Sequence, residues 1–257
     1  MLFMLHALIV TALAGLATTL GGMAAVVRRP GKRIMALAMG FAAGVMLTVS
    51  LADMLPAALG EYLAAFSPWG AGLAAASLLC MGMVVAGLLE GVLPEEKAFR
   101  GVGDSQKARV LRSALVTALA LLLHNLPEGI LTLFTGVADP QVGLRLALAI
   151  GLHNLPEGLA VAAPLYYATG SRAKAVGAAF LSGLAEPVGA VLAFFVLGRF
   201  LTPGFLNGLV VLVAGIMSWV SVFELLPTGF GFDKKGWTAA GFGAGLMVMA
   251  LGISVLS

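Results

Sequence analysis

The chain has 257 residues, of which 60% are hydrophobic and 11% charged. A soluble domain is about half apolar and about a quarter charged, so this composition excludes one and points to an integral membrane protein. The net charge of +3 says little by its size and much by its placement; no nucleic-acid partner is expected.

Eight apolar segments follow in chain order, near 3–27, 34–59, 70–93, 113–136, 143–168, 174–200, 205–229 and 237–256. Each is long enough to cross a bilayer as a helix. The expectation is an all-α polytopic membrane protein, a single transmembrane domain over 1–257. The first segment has no basic residue before it and Arg28, Arg29, Lys32 and Arg33 after it. A cleavable signal peptide shows the opposite flank, so this is read as a permanent helix. The third holds Cys80, the one cysteine, which excludes an internal disulfide and a multi-cysteine metal centre and reads as a packed apolar residue. The stretch 94–112 is a loop of mixed charge without a histidine. Small residues, 34 of them glycine, suit close helix packing.

The linkers after segments one, three, five and seven hold 13 of the 15 Lys and Arg residues. Arg145 and Arg199 are the exceptions. Basic loops stay in the cytoplasm, so 94–112 is cytoplasmic and both termini are extracytoplasmic. Residues 44–56 (GVMLTVSLADMLP) match 215–227 (GIMSWVSVFELLP) at six of thirteen positions. An even-numbered span matching an odd-numbered one signals an inverted repeat. The scheme is 3+2+3: segments one to three related to six to eight, with the fourth and fifth as a central pair.

That central pair carries one hexapeptide twice, His-Asn-Leu-Pro-Glu-Gly at 124–129 and at 153–158. Asp53, Glu128, Glu157, Glu186 and Glu224 lie inside spans, each beside a proline or three residues before one. A charge at mid-bilayer costs about 2.5–3.5 kcal/mol on insertion scales, which marks such residues as functional. His124 and Glu128 are four apart and share a helix face, as do His153 and Glu157. In antiparallel helices His124 then lies level with Glu157, and Glu128 with His153. Asn125 and Asn154 project to a neighbouring direction, and Glu186 closes the ring. Nitrogen and carboxylate donors without thiolate suit Zn²⁺, Fe²⁺ or Mn²⁺. Asp53 and Glu224 read as entrance and exit carboxylates of a transport path. Met46, Met54 and Met217 are further candidates for its lining. Glu90 reads as interfacial.

At these residues the chain resembles the ZIP family of divalent-metal transporters, in its short bacterial zinc-uptake branch. The resemblance rests on the doubled HNLPEG, on SGLAEPVGA at 182–190, and on the DMLP and ELLP ends of segments two and seven. It implies a multi-pass protein of the inner cell membrane that takes up Zn²⁺ (with Fe²⁺, Mn²⁺ and Cd²⁺ as further cargo) through a binuclear centre. One site would use His124, Glu128, His153 and Glu157. The second would use Asn125, Asn154 and Glu186, bridged by Glu128 and Glu157. The histidine-rich third loop of many members is missing, and Glu157 stands where animal members carry a metal-binding histidine. Their zinc preference is therefore not transferred. Whether the chain forms a homodimer stays open. Two other classes fit less well. A membrane metalloenzyme lacks HExxH and G-x-S-x-G, and a proton-coupled carrier of a small organic solute does not explain His-Glu pairs at ligand spacing. No catalytic role is expected.

Overall fold

The structure, a computed structural model, describes residues 2–102, 105–197, 202–232 and 234–256. Arg199 and Asp104 lie outside the described residues, as does the expected end of segment six at 198–200. Among the described residues there is no strand, and eight helices are long and apolar enough to span a membrane. They are α1 (Leu2–Ala25), α2 (Lys32–Ala65), α3 (Pro68–Val92), α4 (Ser105–Ala138), α5 (Pro140–Thr169), α6 (172–197), α7 (203–230) and α8 (Lys235–Leu256).

Local chemistry sets their starts. α3, α5 and α7 begin on Ser67-Pro68, Asp139-Pro140 and Thr202-Pro203, a capping oxygen followed by a proline that needs no N–H. Asp139 Oδ1 accepts from the amides of Gln141 and Val142 at 2.9 and 3.2 Å. Between α5 and α6 the chain turns on Gly170 at φ 70°, a left-handed helix end that a side chain would strain.

Two boundaries differ from the hydropathy reading. The loop expected over 94–112 is largely helical: Glu96–Val102 forms a short 3₁₀ turn and α4 starts at Ser105. Residues 105–112 (SQKARVLR) are too polar to read as a span but are mostly good helix formers, so the helix runs on past the apolar slab. α2 likewise runs past 59 to Ala65.

The two ends of the bundle are distinct. Arg172 Nη2 donates to Val27 O at 3.4 Å, Gln106 Nε2 to Gly231 O at 3.1 Å, and the Tyr167 ring packs edge-on against Phe232, so all four odd-to-even linkers gather at one end, the basic end.

The packing obeys one pseudo-two-fold operation that exchanges α1 with α6, α2 with α7, α3 with α8 and α4 with α5. α1 packs on α5 as α6 packs on α4, and α2 on α8 as α7 on α3. Glycine contacts repeat the rule at atomic level. A Cβ on Gly129 would overlap the backbone carbonyl of Glu186, and one on Gly158 that of Thr18. A Cβ on Gly189 would meet Leu126 O, and one on Gly21 Leu155 O. Gly15 and Gly183 each abut the other's carbonyl, where α1 and α6 cross near the axis. The helix interior is also distorted in matched places. Wide π turns at Val49–Met54 and Val220–Leu225 hold Asp53 and Glu224, and the amides of Leu55 and Leu226 reach back to Ser50 O and Ser221 O. Pro56 and Pro227 follow, lacking the amide that would restore α pairing.

Because backbone cannot give way as a flexible side chain can, Gly129→Ala is expected to destabilise the bundle by about 1–2 kcal/mol. Gly177, where an added methyl group would have nothing within 4 Å, is the control, and Gly177→Ala should hold or raise stability. Thermal unfolding in detergent measures both, and equal midpoints would contradict the close-approach account.

Candidate metal centre

The centre sits where α4 and α5 cross. Pro127 and Pro156 lie inside those helices, and each removes a donor to the carbonyl four residues before it, Leu123 and Leu152. His124 Nε2 stands 3.2 Å from Glu157 Oε1 on the partner helix and 3.5 Å from Glu128 Oε2 on its own. His153 Nε2 stands 3.1 Å from Glu128 Oε1. The cross-helix levels drawn from antiparallel register are the levels found.

The asparagines hold the neighbouring helices. Asn125 Nδ2 donates to Ser182 O on α6 at 2.8 Å, and Asn154 Nδ2 to Ala14 O on α1 at 2.9 Å. These bonds are another pair related by the pseudo-two-fold. Asn154 Nδ2 also donates to Glu186 Oε1, which brings the α6 carboxylate into the group. His124, Asn125, Asn154, Glu157 and Glu186 are fully buried, and Glu128 and His153 are 2% and 5% exposed.

Many of their polar atoms lack a hydrogen-bond partner: both nitrogens of His124, Oδ1 of Asn125 and Asn154, Oε2 of Glu128 and Glu186, and both oxygens of Glu157. Buried groups of this kind are normally satisfied, and each one left alone costs about 1–3 kcal/mol. A cluster of lone pairs with too few protons to share is the chemistry of a cation site. The imidazoles and carboxylates touch one after another, in the order His153, Glu128, His124, Glu157. Among the described residues no three His, Cys, Asp or Glu side chains already surround a common point.

Two cavities flank the centre. One, of about 420 Å³, is lined by Asp53, Met54, Arg145, Glu128 and His153. It joins Asp53 to the central layer from the end opposite the basic loops. The other, of about 400 Å³, lies at the basic end and is lined by Glu224 with Glu90, Glu95, Glu96, Arg109 and Arg112. Between them lies the main apolar cluster, which includes Met46, Leu121, Val161, Met217, Val220 and Leu225. Of the three methionines considered for the path, Met54 lines the cavity, while Met46 and Met217 are buried in that cluster. Cys80 is not packed inside; it is exposed on the outer surface of α3, because only a narrow stripe of that helix meets the bundle.

Sequence reasoning missed the setting of Glu224. Arg112 Nη1 lies 3.3 Å from Glu90 Oε1 and 3.8 Å from Glu224 Oε1, and Nη2 donates to Glu90 O at 3.2 Å. Trp219 Nε1 donates to Glu90 Oε2 at 3.4 Å. α3, α4 and α7 are thus tied by one cation between two carboxylates. Glu90, read as interfacial, is half of that arrangement.

An eight-helix membrane bundle with inverted internal symmetry and a buried imidazole-carboxylate centre has the form of a carrier. A family profile described as ZIP Zinc transporter matches residues 95–254. Similar proteins include the "Zinc transporter ZupT" of Corynebacterium efficiens, 41% identical over 95% of this chain and 94% of that one. Those of Akkermansia muciniphila (43%; 96% and 97%) and Escherichia fergusonii (40%; 97% and 96%) are equally alike. The chain belongs to the ZIP family, as a multi-pass membrane protein.

Proposed function

We propose that the protein carries Zn²⁺, and with it other divalent transition-metal cations such as Fe²⁺, Mn²⁺ or Cd²⁺, across the inner cell membrane into the cytoplasm. The observation that carries this reading is the crossed pair of imidazole-carboxylate contacts at mid-bundle with its surplus of unpartnered lone pairs. The similar proteins, zinc transporters that match this chain over nearly their whole length, support the same cargo. His124, Glu128, His153 and Glu157 form one metal site. Asn125, Asn154 and Glu186 form a second, with Glu128 and Glu157 bridging, so that the centre is binuclear. Asp53 receives the cation at the outer mouth and Glu224 passes it on at the basic end, which faces the cytoplasm by its charge and leaves both termini extracytoplasmic. The conformation has the Asp53 cavity touching the centre and the apolar cluster closing the other side, which suits a state loaded from outside. The work is transport without catalysis. Bilayer lipid covers the exposed apolar faces, and a homodimer through one of them is compatible with the fold.

Radioactive zinc uptake into proteoliposomes tests the reading. The wild type should accumulate zinc well above protein-free vesicles, and Glu157→Ala, which removes two unpartnered buried oxygens, should return it to the vesicle background. Equal uptake by the two proteins, or no uptake of any of several divalent ions by the wild type, would refute it.

A further inference from the structure

The pseudo-two-fold operation has one residue whose partner in the metal centre differs from it. Carrying α6 onto α1 places Ser182 on Ala14, Gly183 on Gly15, Glu186 on Thr18 and Gly189 on Gly21. Each pairing is seen in contacts. The asparagine amides reach Ser182 O and Ala14 O at 2.8 and 2.9 Å. The hexapeptide glycines press on Glu186 O and Thr18 O. A Cβ on Gly15 would lie 3.4 Å from the Glu186 Cβ, and one on Gly183 3.1 Å from the Thr18 Cβ. The stretches LAGLATTLGG (13–22) and LSGLAEPVGA (181–190) also share five of ten residues, a second repeat that hydropathy alone does not bring out.

Thr18 is therefore to α1 what Glu186 is to α6. It is fully buried, and its hydroxyl has no hydrogen-bond partner. Four other threonines in these helices are satisfied locally. Thr11, Thr48, Thr132 and Thr169 each return the hydroxyl to the carbonyl four residues back at 2.7–2.9 Å. For Thr18 that carbonyl is Ala14 O, the one engaged by Asn154. Thr19, Thr117 and Thr238 are also without a partner, but they mirror Pro187, Leu146 and Ala75, none of them in the centre. Glu186 reaches across to Asn154. The mirror direction from Thr18 leads toward Asn125, whose Oδ1 is equally buried and unpartnered. A threonine oxygen is one bond from Cβ and a glutamate oxygen three, so the mirrored contact stays open by the length of the missing arm.

We propose that Thr18 belongs to the cation site: its hydroxyl is the neutral oxygen donor on α1, opposite Glu186, toward a divalent cation or a water that the cation carries. A hydroxyl there in place of a fourth carboxylate keeps the centre from holding its cargo too tightly for release. The inference rests on the reading of the centre as a cation site, and the experiment separates the two.

Zinc affinity is measured at equilibrium on the purified protein in detergent for wild type, Thr18→Val, Thr18→Ser and Glu157→Ala, with the thermal midpoint in metal-free buffer beside it. Thr18→Val keeps the shape and loses the hydroxyl; it should weaken binding about tenfold with an unchanged midpoint. Thr18→Ser keeps the hydroxyl and should bind within about twofold of wild type. If Val binds like wild type, or Ser is the weaker of the two, Thr18 is a packing residue and the proposal fails. If Glu157→Ala also binds like wild type, the failure is that of the centre itself. Thr18→Cys gives an independent answer should the valine variant not fold. A thiolate touching the cation raises the preference for Cd²⁺ over Mn²⁺. An unchanged ratio overturns the proposal.

Discussion

Glu128→Gln is expected to lower zinc uptake by about 100-fold or more, the largest loss from any change that conserves size. Glu128 touches both imidazoles, His153 at 3.1 Å and His124 at 3.5 Å. It also lines the cavity that holds Asp53, so in the proposed path it is the carboxylate between that cavity and the buried layer. Glutamine keeps the volume and one carbonyl oxygen but removes the charge and turns one acceptor into a donor. That donor would face an imidazole nitrogen where a lone pair is needed. Glu157 and Glu186 lie deeper, and neither lines that cavity, so their loss leaves a first contact for the cation in place. Initial-rate uptake at several zinc concentrations measures the effect. Glu128→Asp, which keeps the charge, should recover part of the rate. Uptake by Glu128→Gln within a few fold of wild type would show that the cation bypasses this carboxylate.

Arg112→Gln is expected to destabilise the basic end by about 3 kcal/mol, the low edge of the range for breaking a buried pair, since Arg112 and Glu90 keep some contact with solvent. The side chains are 23% and 28% exposed, while Glu224 is only 7% exposed. Without the guanidinium, two carboxylates on α3 and α7 share one pocket with no cation between them. The second change Glu224→Gln removes one of the repelling charges, so the double variant should regain most of the lost thermal midpoint. A double variant as unstable as the single one would mean that Arg112 stabilises through its contacts with Glu90 and not by neutralising Glu224.

The His124–Glu157 and His153–Glu128 levels needed only a helical period and an antiparallel arrangement, and basic-loop counting supplied the second. The acid-proline pattern marked Asp53 and Glu224, and the π turns found there are the backbone form of the same signal. Hydropathy could not see that 105–112 continues α4, because it measures the apolar slab and not helix length. It could not see that Cys80 faces outward, because an apolar run has no inside until its neighbours are known.

The sequence by itself determined the class of protein, the number of spans, the family and the ring of charged and amide side chains at mid-membrane. Those follow from properties local to a helix: its length in a bilayer, its period, and the cost of burying a charge. Only the tertiary structure decided which carbonyl each asparagine holds, that Arg112 sits between Glu90 and Glu224, and that Thr18 takes the mirror place of Glu186. A threonine in an apolar helix carries no charge that demands explanation. It calls for one only when the packing shows that Ala14 O, where its hydroxyl would turn, is engaged by Asn154.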